Sequence, residues 1–202
     1  MRIDEHRAKE LGTALNEASL LGVEYDRVRQ MVGVTISVLT LPDDHSPESA
    51  DPRRQLILKE VGRVAAALRD SRWDDYAAKP LPLEASDLLS TVQSFGGQPI
   101  YGWEFINHED QAWELWKHRL SLDIQSDAGA RTNLLALFQE GVTANRHLDL
   151  WVWFEELVIC DAQGNTIDPD HFVAGGIRWW EAMHAGDPRT QGHGIASGVK
   201  DS

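Results

Sequence analysis

Two adjacent carboxylate pairs, Glu155–Glu156 and Glu109–Asp110, are the side chains in this sequence best suited to acid and base work, which needs two such groups in different environments. Their spacing argues against that use. Neighbours on a strand point to opposite faces, so Glu155 and Glu156 would not share a substrate, whereas Glu109 and Asp110 follow Asn107-His108 and suit the positive end of a helix. Among the eight histidines no two lie three or four residues apart, the spacing by which one helix presents a metal-ligating pair. Asp161 to Asp170 lacks the alternating ligands and closing glutamate of a calcium loop. No serine sits in a G-x-S-x-G context, and Cys160 has no adjacent basic group to activate its thiol. Gly96-Gly97 and Gly175-Gly176 lack the further glycines and lysine of a phosphate cradle; the second pair interrupts a helical pattern and predicts close helix packing. The expectation is therefore no catalytic residue, no metal and no cofactor.

The aromatic residues carry more information. All eight tryptophans lie from Trp73 onward. The segment Leu148-Asp-Leu-Trp-Val-Trp-Phe154 reads as a strand with Leu148, Leu150, Val152 and Phe154 on one face and Trp151 and Trp153 on the other. A strand with one wet face alternates apolar with polar, so the tryptophan face must be covered by a helix, a partner chain or a ligand. A covering helix gives a heavy aromatic core. An uncovered face, rimmed by Asp149 and Glu155, would have the chemistry of a protein-binding hot spot. On that reading the partner contacts are Glu104, Asp149, Trp151, Trp153, Glu155 and Glu156; the alternative is a small-molecule enzyme or ligand-binding domain with a pocket near Trp103, His108 and Glu109.

Charge favours a protein partner of one sign. The 202 residues carry a net charge of −13, which repels nucleic acid and anionic membrane and fits a basic protein. No apolar stretch is long enough for a membrane span or shaped like a secretion signal, and the lone Cys160 fits a reducing compartment, so a cytoplasmic location is expected. The length suits one domain, assigned to residues 1–185, followed by a glycine-rich flexible tail over 186–202.

The elements that must position these residues follow from periodicity. Asp4 caps a helix running to Leu21 and stopped by Gly22; residues 27–40 form a β-branched strand or two strands bent near Gly33; and 54–69 form one long strand with a bulge or bend at Gly62 or, since Ala65-Ala-Ala-Leu68 is a good helix former, a helix. Residues 42–52 and 70–83 are connectors. Ser86 caps a short helix ended by Gly96-Gly97, Pro99 to Ile106 is a strand, and Asn107 opens a second short helix bearing Trp113 and Trp116. Leu120–Ile124 and Thr132–Phe138 should pair as a hairpin, 148–160 forms a long central strand closed by the turn Asp161–Asn165, and Asp168-Pro169 opens a final helix with Phe172, Gly176, Trp179 and Met183 on one stripe. The fold class expected is α+β: a mainly antiparallel sheet of about six strands with an N-terminal helix, two short middle helices and a C-terminal helix. A strand, a polar loop and a long strand recur at 35–41 with 55–69 and at 132–138 with 148–161, suggesting a duplicated unit.

Leu56 to Val64, Gly102-Trp-Glu-Phe105 and Leu148 to Leu157, taken with the acidic balance, resemble small bacterial immunity-type proteins that neutralise toxins by binding them. The resemblance implies a cytoplasmic, non-catalytic protein with a cognate basic partner.

Overall fold

Two long segments, 53–69 and 147–161, run antiparallel to one another along their whole length and bend together, and the architecture follows from that shared bend. The computed structural model describes residues 3–44, 46–48, 51–72, 75, 77–97, 99–100, 102–106, 117–126, 132–141 and 145–195, with backbone alone at 102–104 and 106. The first segment divides into β3 (Arg53–Lys59) and β4 (Arg63–Arg69), the second into β8 (His147–Phe154) and β9 (Glu156–Asp161). Lys59 pairs with Glu156 on one side of the corner and Arg63 with Trp153 on the other. The ladder stays stitched across it: the Glu155 amide donates to the Lys59 carbonyl at 3.2 Å and the Gly62 amide to the Trp153 carbonyl at 3.0 Å. Glu60 reaches a positive φ of 52° at the turn. Each segment expected as one strand is thus two, because the corner carries each from one sheet into another.

With β1 (Ser19–Asp26), β2 (Met31–Ser37) and β10 (Thr166–Ile167), β3 and β9 form a five-stranded sheet of order β1-β2-β3-β9-β10. With β5 (Gly102–Ile106), β6 (Leu122–Gln125) and β7 (Asn133–Glu140), β8 and β4 form a second, of order β5-β7-β8-β4-β6. Every pairing is antiparallel. The described residues therefore hold ten strands in two sheets rather than about six in one, with three α-helices: α1 (Glu5–Ala14), α2 (Leu88–Gln93) and α3 (Pro169–His184). The fold is α+β. The inner faces of both sheets, through Val32, Val34, Leu56, Leu58, Leu135, Val152 and Phe154, share one core with Leu11 of α1, Leu88 of α2 and Phe172 of α3.

Local chemistry explains most elements and corrects several expectations. Asp4 caps α1 by accepting from the Arg7 amide. The helix ends at Ala14 rather than Leu21: Glu17 turns the chain at φ 60°, and Ser19 to Asp26 are drawn into pairing with β2, which overrides the helical spacing. Gly22 consequently lies inside β1, where an added Cβ would stand 2.8 Å from Leu89 of the α2 helix. Val28, read as part of a strand, sits in the β1–β2 turn and is 95% exposed. The hairpin expected between 120–124 and 132–138 does not form; β6 joins the edge of β4, held by the Arg63–Asp123 pair, while β7 lies between β5 and β8. Ser86 falls in a 3-10 turn, Ala85–Asp87, and donates to the Asp87 carboxylate instead of capping α2. The helix expected from Asn107 lies outside the described residues.

The C-terminal half follows its sequence closely. Asp161 accepts from the Gln163 and Asn165 amides to close the β9–β10 turn, with Gly164 at φ 86°. Asp168 caps α3, Pro169 begins it, and Phe172, Gly176, Trp179 and Met183 are buried along it. At Gly176 a Cβ would lie 2.6 Å from the Ala14 Cα, so this glycine sets how closely α3 packs on α1. Residues 186–195 fold back beside α3, where His193 meets Glu48 at 2.9 Å and edges onto the Trp179 ring.

Candidate functional site

The face of the second sheet turned away from the shared core carries the tryptophans. Register places Arg63, Ala65, Ala67 and Arg69 of β4 opposite Trp153, Trp151, Asp149 and His147 of β8. Ala136 of β7 flanks Trp151 from the other side, so two methyl groups leave room for one indole. Trp151, with Ala65, Ala67, Leu134 and Ala136, forms a second apolar cluster and is only 3% exposed. Trp151 is therefore buried, packed among side chains of β4, β7 and β8. Trp153 is half-buried, with the Arg63 guanidinium 5.3 Å above its ring, an arrangement in which the cation meets the negative face of the indole.

One end of this face holds the most strongly buried polar cluster. Arg69 is 1% exposed, Asp149 2% and His147 3%. The Arg69 Nη2 donates to Asp149 Oδ2 at 2.6 Å, the Arg69 Nη1 donates to the Asp75 carbonyl at 3.1 Å, and His147 Nε2 lies 2.7 Å from Asp149 Oδ1. Both carboxylate oxygens are thus engaged, as a buried charge requires. A His–Asp pair is two of the three members of a nucleophilic triad; the other ring nitrogen, His147 Nδ1, is buried with no hydrogen-bond partner among the described residues. The cluster is a structural clamp tying the end of β4 to β8. Asp149 is accordingly corrected from an exposed rim acid to an interior one.

The other candidate residues divide between the sheet corner and the region outside the described residues. Trp153, Glu155 and Glu156 come together at the corner. Glu155 accepts from the Thr132 amide at 2.9 Å, its carbonyl accepts from Asn133 Nδ2 at 2.8 Å, and Glu156 pairs with Lys59 at 3.3 Å. Glu60 is exposed on the chain segment joining Lys59 to Arg63, and Asp123 of β6 is bound at 2.8 Å to the Arg63 that covers Trp153. Glu104 and Trp103 are placed only by backbone: Glu104 registers with Ala136 and Trp103 with Leu137. Their side chains, together with His108 and Glu109, lie outside the described residues, and so does the pocket expected around them. No group of three or more His, Cys, Asp or Glu side chains among the described residues could hold a metal ion. Cys160 is buried and unpaired.

A cleft of about 420 Å³ opens elsewhere, between α3, the chain from Thr40 to Arg54 and the β9–β10 turn. Arg54, Arg178, His171, Asp51 and Asp161 line it together with apolar Phe172 and Ile167. Arg53 grips the Asp51 carboxylate and holds it down to about 2; Asp161 is also held below the ordinary carboxylate value, by its hydrogen bonds from Asn165. Sequence reasoning missed this site because its parts are 100 or more residues apart and none forms a local motif. It also missed Arg69, although a polar residue on a period-two position of a doubly buried strand is a signal that a partner awaits it.

Comparison with protein-family models, curated proteins and solved structures finds no match for the chain.

Proposed function

We propose that this chain is a non-catalytic binding protein that recognises a basic protein partner, in the manner of an immunity protein, through the acidic corner where the two sheets meet. The observation that carries the reading is the grouping of a half-buried tryptophan with Glu60, Asp123, Glu155 and Glu156 on a protein of net charge −13. Tryptophan and arginine, here Trp153 beneath Arg63, are the residues most often found at the energetic centre of interfaces, and surrounding carboxylates steer a basic surface onto them. Two backbone hydrogen bonds bridge the corner, from the Glu155 amide to the Lys59 carbonyl and from the Gly62 amide to the Trp153 carbonyl, which hold its side chains in place before a partner arrives.

Trp151 is buried in the face and Asp149 lies toward the end of β8 away from the corner, and neither touches the partner in this reading. Charge reversal at Glu60 and Glu156 tests it: partner affinity should fall at least about tenfold and the salt dependence of binding should flatten. Unchanged affinity and unchanged salt dependence would reject the acidic corner as the contact. The matching order of the two sheets further favours descent from a duplicated strand-loop-strand unit, with β1, β2, β3, β9 and β10 answering to β5, β7, β8, β4 and β6.

A further inference from the structure

We propose that the cleft between α3, residues 40–54 and the β9–β10 turn binds a small organic monocarboxylate that also carries a hydrogen-bond donor, an amino acid or a hydroxy acid. Two guanidinium groups line it, each anchored by backbone and each with donors to spare. Arg54 Nη1 donates to the Asp51 and Arg53 carbonyls at 3.1 and 2.7 Å, and the remaining nitrogens of Arg54 make no hydrogen bond or ion pair among the described residues. Arg178 Nε donates to the Leu41 carbonyl at 3.1 Å, while its Nη2 is buried with no partner among the described residues. A shielded N–H left without an acceptor is costly, more so on a charged group, and an anion that reaches it would offset that cost. Burial lowers the Arg54 pKa, the mark of a cation partly withdrawn from water, where its attraction for an anion is less screened.

The carboxylates of the same cleft decide which anion. Asp51 and Asp161 are both kept ionised at neutral pH, Asp51 by Arg53 and Asp161 by Asn165 and backbone amides. With two arginines and two aspartates the wall is close to neutral, so a dianionic phosphate would meet two fixed negative charges, whereas a monocarboxylate bearing an ammonium or hydroxyl can address both pairs at once. Gly175 lets the chain at Thr40–Leu41 pack directly on α3, since a Cβ there would collide with Thr40 Oγ1, and Phe172 and Ile167 supply apolar surface for a short body. The volume of about 420 Å³ lies within the ordinary range for small-molecule sites.

The test is a two-dimensional amide NMR titration of the full chain with acetate, glycine and inorganic phosphate in turn. Saturable shifts of the Thr40, Gln163 and Gly175 amides are expected with glycine and acetate in the millimolar range, glycine the tighter, phosphate the weakest. An Arg54→Gln/Arg178→Gln variant should weaken the carboxylates at least about tenfold. Because that variant removes two backbone anchors, Arg54→Lys/Arg178→Lys serves beside it: charge kept and fork lost, it should retain binding weakened severalfold. No saturable shift with glycine or acetate up to about 0.1 M, tighter binding of phosphate, or equal affinity in a folded Gln variant would each overturn the proposal.

Discussion

Substituting Asp149 by alanine removes both acceptor oxygens at the centre of the buried cluster. One takes the Arg69 Nη2 at 2.6 Å and the other faces His147 Nε2 at 2.7 Å, and both partners are nine-tenths or more buried. Breaking a buried ion pair from one side strands the other charge in low dielectric and costs about 3–5 kcal/mol. For a chain of this size that corresponds to a melting temperature lower by about 10 °C. Urea unfolding followed by tryptophan fluorescence, extrapolated linearly, measures the loss directly. Replacing both members with apolar residues, Arg69→Met/Asp149→Leu, should cost well under the sum of the two single substitutions, with a coupling of at least about 2 kcal/mol, because no unpaired charge is left behind. A single-variant cost below about 1 kcal/mol, or costs that simply add, would refute the claim that this cluster clamps β4 to β8.

Three further outcomes follow from the packing and electrostatics. Gly176→Ala should destabilise by about 1–3 kcal/mol in thermal unfolding, because its methyl would stand 2.6 Å from the Ala14 Cα and push α3 off α1. Asp168→Ala should cost about 1 kcal/mol in the same measurement, since Asp168 Oδ1 accepts from the Asp170 and His171 amides at the start of α3. The Asp51 carboxyl should titrate at about 2, and its value should return toward 3.8 in Arg53→Gln, as read by carboxyl-carbon NMR. The sign follows: with the folded value depressed, the contribution of Asp51 to stability is complete above 3.8 and is lost as pH falls through about 2.

Local chemistry was legible in the sequence, and pairing across distance was not. The Asp4 and Asp168 caps, the Asp161–Asn165 turn, the packing glycine at 176 and the buried Cys160 each depend on residues within a few positions or on one stripe, and the structure has them where the spacing puts them. The corner is different. Gly62 marked a bend and the chain does bend there, but nothing in these runs of apolar and β-branched residues says that 53–69 or 147–161 leaves one sheet for another, so each read as one strand. Strand order was equally hidden: β6 precedes β7 in the chain and would be its natural hairpin partner, yet β4 offers it Val64 opposite Ile124 and the Arg63–Asp123 pair. At the candidate sites the residue types were visible but their depth was not. Asp149 looked like a rim acid until Arg69, 80 positions earlier, was found beside it. The cleft joins Arg54 to Arg178 through a chain path with no local signature.

The central claim, recognition of a basic protein by the acidic corner, is tested most directly by affinity capture from the native lysate with the wild-type chain and with Glu60→Lys/Glu156→Lys, the retained proteins identified by mass spectrometry and the variant checked for an unchanged melting temperature. One basic protein retained near equal stoichiometry by the wild type, released by raised salt and lost from the folded variant, is the predicted result. Retention of nothing, or equal retention by both chains, would contradict it.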